Sequence, residues 1–339
     1  MKTYLVTGGS GFIGSNFIRF IIEKDTNCNI INLDKLTYAG NPANLRDIEN
    51  NNRYQFINGD ICDERVVRET FTRNRIDVVI NFAAETHVDR SIGSPDDFIN
   101  TDVFGVFRLL EASKDFGVDL FIQISTDEVY GSIENGSFCE TDQLLPSSPY
   151  SASKAGGDRL AYSYFITFGL PVIITRASNN YGSFQYPEKI IPLFVTNAIE
   201  DRPLPLYGEG KNVRDWLFVL DHCSAVDFLI EHGDHGQVYN IGGGNELENI
   251  AITRLILEKL NKSENLIKFV DDRKGHDLRY SIDCSKIRQL GWEPEYSFNN
   301  ALENTIKWYQ SNEDWWKPIK SGEFRSYYEN QYSISYEKS

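Results

Sequence analysis

The sequence predicts an α/β fold, a doubly wound parallel sheet with a smaller C-terminal lobe. Three observations lead there. Short apolar runs alternate with longer helical patterns over about the first 130 residues, a glycine turn joins the first run to the first helical pattern, and the chain changes character after about Asn180. The runs are Thr3–Thr7, Ile30–Leu33, Tyr54–Ile57, Val78–Phe82 and Leu120–Ile124. Unbroken apolar runs suit parallel strands buried on both faces. Phe12–Lys24 and Pro95–Phe116 read as helices, and Pro171–Arg176 as a further strand. Strand–helix alternation of this kind builds a doubly wound sheet. Beyond Asn180, Pro187, Pro192, Pro203 and Pro205 break the pattern, and Gly208, Gly210 and Gly242–Gly244 mark turns. Trp216–Val219 and Val238–Gly242 are expected to return to the main sheet. Trp315, Trp316, Tyr327 and Tyr328 in the tail read as packing anchors.

Composition narrows the class. Of 339 residues, 41% are hydrophobic and 24% charged, which suits an ordinary globular core. No run of about eighteen apolar residues appears, so no membrane span is expected. The opening residues carry no secretory leader pattern, and a cytoplasmic protein is the expectation. The net charge of −15 argues against nucleic acid as a partner, though not against a small anionic ligand held by a few local cations. Cys28, Cys62, Cys139, Cys223 and Cys284 are scattered, so neither a metal site nor a disulfide framework is expected.

The glycine turn is Gly8-Gly9-Ser10-Gly11-Phe12-Ile13-Gly14, spaced G-x-x-G-x-x-G between a strand and a helix. Such a turn lets the backbone approach a pyrophosphate, and the helix N-terminus offers it N–H groups. Asp34 closes the second strand, where a carboxylate accepts from a ribose diol and repels a 2′-phosphate. NAD is therefore favoured over NADP, on a Rossmann-type sheet. Residues 1–180 are read as the NAD-binding domain, with later returns near 213–243, and residues 181–339 mainly as the substrate-binding lobe. Asp60-Ile61 and Phe82-Ala83-Ala84 follow the third and fourth strands where cofactor contacts fall. Ordinary loop chemistry stays open for each.

Ser148 and Pro149 suit an N-cap and first helical position, so a helix should start there. Tyr150 and Lys154 then share one helix face, a turn apart. A neighbouring Lys⁺ and an oxidised nicotinamide would both lower the phenol pKa from its usual value near 10. Thr126, ending the fifth strand, could bond the same substrate hydroxyl. Glycine turn, strand-end Thr and Tyr-x-x-x-Lys in this order resemble the extended short-chain dehydrogenase/reductase family, over nearly the whole chain. A scaffold protein that kept only the fold would be expected to have lost these groups.

Asp127 and Glu128 follow Thr126 directly. Adjacent carboxylates resist double ionisation, so one can hold a proton as acid while the other acts as base. Eliminating water from a sugar needs that pairing; a polar loop is the plain alternative for a bare Asp-Glu. The string Ser125–Gly131 (STDEVYG) resembles that of the dTDP-glucose 4,6-dehydratases. So do Asp34–Asn41, Ala83–Ile92, Asn179–Leu193, Asn212–His222 and Arg273–Asp283. Thr86 and Lys274 depart mildly, standing where Ser and Pro are common. The rivals within the fold are a UDP-glucose 4,6-dehydratase and a nucleotide-sugar 4-epimerase, and the epimerases lack the carboxylate pair.

The resemblance implies that Tyr150 takes the C4 hydroxyl proton while NAD accepts the C4 hydride. Glu128 then takes the C5 proton, Asp127 protonates the departing C6 hydroxyl, and the hydride returns to C6. It places Lys35, Thr37, Thr101 and Asn180 on the cofactor beside the glycine turn, with Thr86, Asn179, Lys189, Leu206, Tyr207, Arg214, Asn249, Arg273 and His276 on the nucleotide-sugar substrate, dTDP-glucose. A salt bridge to Asp215 is the alternative for Arg214. His87 stays uncommitted, and His222, His232 and His235 have no argued role. Family members are commonly dimers through two long helices, here near Phe98–Phe116 and Tyr150–Phe168, so a homodimer is expected.

Overall fold

The structure is a computed structural model that describes residues 1–272, 276–321 and 323–332. Six strands come first: β1 (Lys2–Thr7), β2 (Cys28–Asp34), β3 (Tyr54–Asn58), β4 (Val78–Asn81), β5 (Leu120–Thr126) and β6 (Val172–Ala177). Then come β7 (Asn179–Tyr181), β8 (Leu204–Tyr207), β9 (Val213–Phe218), β10 (Val238–Ile241), β11 (Glu246–Glu248) and β12 (Ile267–Val270). The main sheet runs β10-β6-β5-β4-β1-β2-β3 and is parallel throughout. This is the Rossmann-type doubly wound order. Its direction reverses between β1 and β4, the place where such sheets open a crevice for ligands.

The helices that matter to the site are α1 (Phe12–Lys24), α2 (Glu64–Arg73), α3 (Val88–Gly93), α4 (Pro95–Ile99), α5 (Val106–Phe116), α6 (Pro149–Phe168), α7 (Ile190–Ile199) and α8 (Val219–His232). Strand side chains alternate between two cores. Tyr4, Val6, Ile80 and Ile122 pack with Phe17 and Ile21 of α1 and Val226 of α8. Leu5, Val79 and Phe121 pack with Phe71 of α2, Leu110 of α5 and Ala161 of α6. The first core runs on through Leu193, Leu204 and Trp216, so the lobe shares apolar packing with the sheet.

Two expectations need correction. Val238–Ile241 does join the main sheet, but the strand holding Trp216 does not: β9 pairs with β7 and β11 in a separate sheet. The reason is edge occupancy. β10 takes the free edge of β6, Val238 against Ile174, so β9 pairs with β7, Asn179 against Trp216. The segment 95–116 is also no single regular helix. Between α4 and α5, Asn100–Gly105 forms a π-helical turn, a feature often found near functional sites.

α6 starts as its sequence indicates. Ser148 Oγ accepts from Ser151 N in a capping box, Pro149 opens the helix, and Gly169 ends it in the left-handed conformation. The tail aromatics are anchors: Trp316 is fully buried and donates to Tyr309 O at 2.8 Å, and Trp315 donates to Asn44 Oδ1 at 2.8 Å. Among the described residues no helix is long and apolar enough to cross a membrane.

The π-helical turn meets α6 at Gly157, where a Cβ would lie 2.3 Å from the Asp102 carbonyl oxygen. That atom is backbone and cannot step aside. Gly157→Val should therefore destabilise the protein by about 1–3 kcal/mol or more in urea unfolding. Unchanged stability would mean that the helix and the turn can separate without cost.

Candidate active site

A cavity of about 310 Å³ opens at the C-terminal ends of β1, β4, β5 and β6, between the sheet and the lobe. Gly8, Gly11, Phe12, Ile13 and Gly14 form one wall. Gly8 has φ +66°, and a Cβ there would meet Ala83 N at 2.6 Å; one at Gly14 would meet Gly8 O at 2.4 Å. Gly11 caps α1 with no side-chain bond, so the first N–H groups of that helix are left to a ligand. Asp34 accepts from Ser10 N at 2.9 Å and Leu36 N at 2.8 Å. Burial pushes its carboxyl up, and those two N–H groups hold it back. Lys35, Thr37, Asp60, Ile61, Phe82, Ala83, Ala84 and Thr101 complete this end, and Asn180 lines the cavity beyond the end of β6, each a residue that the sequence suggested. Lys35 Nζ reaches Thr101 Oγ1 at 3.3 Å, Glu85 at 3.4 Å and Asp60 at 3.7 Å.

At the other end stand Thr126, Asp127, Glu128, Tyr150 and Lys154. Helix spacing sets the phenol and ammonium on one face, both lining the cavity. Lys154 is buried and donates from Nζ to Ile124 O at 2.8 Å. Burial pulls its pKa down, with Asp102 and Asp158 resisting. The Tyr150 phenol is pushed well up, first by burial and next by Glu128, with a hydrogen bond between it and Thr126 opposing. Lys154 thus ties the first turns of α6 to the β5 carbonyl.

Thr126 also caps the short 3-10 turn Asp127–Tyr130: its Oγ1 accepts from Glu128 N at 3.3 Å and donates to Asp127 Oδ1 at 3.2 Å. Asp127 is buried, and its pKa is pushed up to about 8 by burial, then by Glu128 and Asp215. Thr126 and Arg214 oppose the rise. Burial and the neighbouring Glu128 charge thus both favour the protonated form of Asp127.

On the lobe side Thr86, Asn179 and Lys189 line the cavity. Leu206, Tyr207, Arg214, Asn249 and His276 do not line it. Leu206 is core. The Tyr207 and His276 rings meet edge-on at 5.9 Å, and His276 Nδ1 lies 2.6 Å from Asp272. Arg214 donates to Asp277 O at 2.9 Å and lies 4.3 Å over the Tyr280 ring. Asn249 opens the helix Asn249–Lys259, with Oδ1 buried and unpartnered. Arg273 lies outside the described residues.

Sequence reasoning missed several wall residues. Gln185, Tyr186, Glu188, Trp216 and His222 line the cavity, and Asp102 lies just behind it. Glu188 is buried, accepting from Tyr38 Oη at 2.9 Å and Arg90 Nε at 3.2 Å. Asp102 accepts from Ser153 Oγ at 2.7 Å and Glu85 N at 3.1 Å. Gln185, Tyr186, Glu188, Trp216 and His222 stand inside matched sequence blocks, which was the available signal. Ser125 Oγ, Asp127 Oδ2, Asn179 Oδ1, Gln185 Oε1, Trp216 Nε1 and His222 Nε2 are buried on this wall without a hydrogen-bond partner among the described residues. Burial of unpartnered polar atoms is costly, and a polar ligand would relieve it.

Comparisons with known proteins agree with this picture. A family model described as GDP-mannose 4,6 dehydratase matches residues 5–305. The chain is 49% identical to the low-salt glycan biosynthesis protein Agl12 of Haloferax volcanii, over 91% of this chain and 99% of that one. It is 47% identical to a dTDP-glucose 4,6-dehydratase of Streptomyces niveus, over 94% and 95%. The crystal structure of DesIV, a dTDP-glucose 4,6-dehydratase of Streptomyces venezuelae with NAD and TYD bound, superposes with a TM-score of 0.91 at 47% identity, covering 94% of this chain and all of that one.

Raising a carboxyl's folded pKa makes stability fall as pH climbs from the unfolded value near 4 toward the folded value of about 8. Asp127→Asn should therefore melt higher than the parent at pH 7, and the gain should shrink toward pH 4. A lower melting temperature at pH 7 would contradict a protonated Asp127.

Proposed function

Because this chain belongs to the dTDP-glucose 4,6-dehydratases of the short-chain dehydrogenase/reductase family, we propose that it converts dTDP-glucose to dTDP-4-keto-6-deoxyglucose with bound NAD. The observation that carries the reading is the buried carboxyl of Asp127 beside Glu128, at the cavity end that also presents Tyr150 and Thr126. An epimerase needs no such acid.

The cofactor fits the cradle. Gly8 and Gly14 have no room for a Cβ against neighbouring backbone, which keeps the turn tight enough for a pyrophosphate to approach, and Asp34 suits a ribose diol in preference to a 2′-phosphate. Bound there, NAD⁺ supplies a hydride acceptor that is regenerated within each turnover. Residues 1–180 serve it, with residues 181–339 mainly serving the nucleotide-sugar.

Tyr150, bonded by Thr126, removes the C4 hydroxyl proton as that carbon is oxidised. Glu128 takes the C5 proton, which the new 4-ketone makes acidic. Asp127 delivers its proton to the C6 oxygen, which departs as water and leaves a C5=C6 double bond; C6 ends as a methyl group when the hydride taken from C4 is returned to it and C5 regains a proton. Asn179, Lys189 and Thr86 line the sugar side, and the family resemblance assigns the nucleotide to Arg214, Asn249, Arg273 and His276, with Leu206 and Tyr207, none of the described ones being among the residues that line the cavity.

We also propose a homodimer in the cytoplasm. Five unpaired cysteines support the location. Exposed apolar side chains on the helices 95–116 and 149–168 support the dimer: Ile99, Phe104, Phe116, Ile166 (63% exposed) and Phe168 (54%). Ile166→Glu should shift the mass in light scattering from dimer to monomer. A parent protein that is already monomeric would remove the dimer from the proposal.

Reaction with dTDP-glucose in D₂O should give a product one water lighter, with deuterium at C5. Glu128→Gln should slow C5 labelling and product formation by about 10²–10⁴-fold. The parent's rate should fall as pH rises through about 8, where Asp127 loses the proton it must donate. A product isomeric with the substrate would overturn the dehydratase reading.

A further inference from the structure

Among the unpartnered atoms on the cavity wall, two belong to side chains that bond the same residue, Asn180. His222 is fully buried in α8, and its Nδ1 lies 2.9 Å from Asn180 Oδ1. Gln185 is nine-tenths buried and donates from Nε2 to the Asn180 carbonyl oxygen at 2.9 Å. Each therefore has one polar atom engaged and the other bare: Nε2 of His222 and Oε1 of Gln185.

The local bonds decide the chemistry of both bare atoms. Asn180 Nδ2 donates to the Ser178 carbonyl at 2.9 Å, which leaves its Oδ1 for His222. That oxygen only accepts, so Nδ1 of His222 carries the ring proton and Nε2 is a lone pair. Burial pulls the His222 pKa down to about 4, so the ring stays neutral. Gln185 Oε1 is likewise an acceptor. Two buried acceptors ask for N–H or O–H donors and disfavour an anion.

Their place in the cavity narrows the donor. Thr126 is the register partner of Ala177, three residues before Asn180. His222 and Gln185 thus line the cavity with the residues that follow β6, beside Thr126 at the end of β5, whereas Asp34 ends β2, with β5, β4 and β1 between. Of the groups of a nicotinamide dinucleotide, the one with two N–H donors at that end is the carboxamide.

We propose that His222 and Gln185 hold the nicotinamide carboxamide, their bare acceptors taking its two N–H groups and so orienting the ring at the reacting end. The inference rests on the reading of NAD as the cofactor. It makes His222 and Gln185 cofactor-binding residues.

The test is titration of the full-length protein with NAD⁺ and with nicotinic acid adenine dinucleotide, in which a carboxylate replaces the carboxamide. The parent should prefer NAD⁺ by about tenfold or more, since the acid offers no donor and sets an anion against two lone pairs. His222→Asn keeps a donor toward Asn180 and deletes Nε2, so NAD⁺ should weaken several-fold and the preference should shrink. Equal affinities in the parent, or a preference left intact in His222→Asn, would overturn the assignment. If that variant fails to fold, the parent labelled with ¹⁵N-histidine answers instead: NAD⁺ should move the His222 Nε2 resonance off its bare-lone-pair position, and an unmoved signal overturns the assignment. Binding of neither dinucleotide would bring down the cofactor reading itself, a result distinct from equal binding of both.

Discussion

Lys154 reaches from the first turns of one helix to the end of one strand, and the site hangs on that reach. Its Nζ, buried, donates to the Ile124 carbonyl at 2.8 Å and so ties α6 to the end of β5. A charge-assisted bond in a dry setting is stronger than a neutral one, and leaving the ammonium bare there would be expensive. With α6 held, Tyr150 is placed one turn back along the same face, over the strand end that carries Thr126, Asp127 and Glu128. The same helix meets the π-helical turn at Gly157 and Ser153, and Asp102 in that turn supplies the counter-charge that Lys154 faces. One bond therefore links the strand that offers the carboxylates, the helix that offers the phenol and the turn that offers the compensating charge.

The balance of charge around this junction works against stability. Asp34, Asp102, Asp127 and Asp215 are all buried near the cavity, in a chain that is already strongly acidic. Burial raises each of them, and at Asp127 the neighbouring Glu128 adds its own repulsion. A protein that sought only stability would not stack carboxylates this way. Sites that need a proton held at neutral pH do, because burial and like charge are the two means of keeping a carboxylic acid neutral. The unpartnered polar atoms along the wall belong to the same trade of stability for a prepared site.

The tail closes the arrangement from outside. Arg90 in α3 lies 3.8 Å over the Tyr38 ring and 4.8 Å over Tyr327 of the helix Glu323–Tyr332, and it pairs with the buried Glu188. Tyr38 in turn bonds both Glu188 and the Thr86 carbonyl. Segments far apart in the chain thus brace one another beside the cavity wall, through stacked cations and shared carboxylate oxygens whose strength grows as water is excluded.

Local order decided what could be read from the sequence. Apolar runs mark buried parallel strands, the glycines mark a backbone that must pass close to another, and a four-residue spacing after a Ser-Pro cap sets Tyr150 and Lys154 on one face. Each of these is settled by residues within a turn or a strand of one another, and each stands in the structure. The adjacent carboxylates were visible too, though not which of them keeps the proton. That depends on Asp215 and Arg214, which arrive from the lobe, and on a burial that no local window reports. For the same reason the sheet that β9 joins, the target of the Lys154 ammonium, the π-helical turn that presents Asp102, and the places of Gln185, Glu188 and His222 on the wall emerged only in three dimensions. Edge competition between strands, desolvation and the meeting of donors with acceptors are properties of segments distant in sequence, so only the folded chain could decide them.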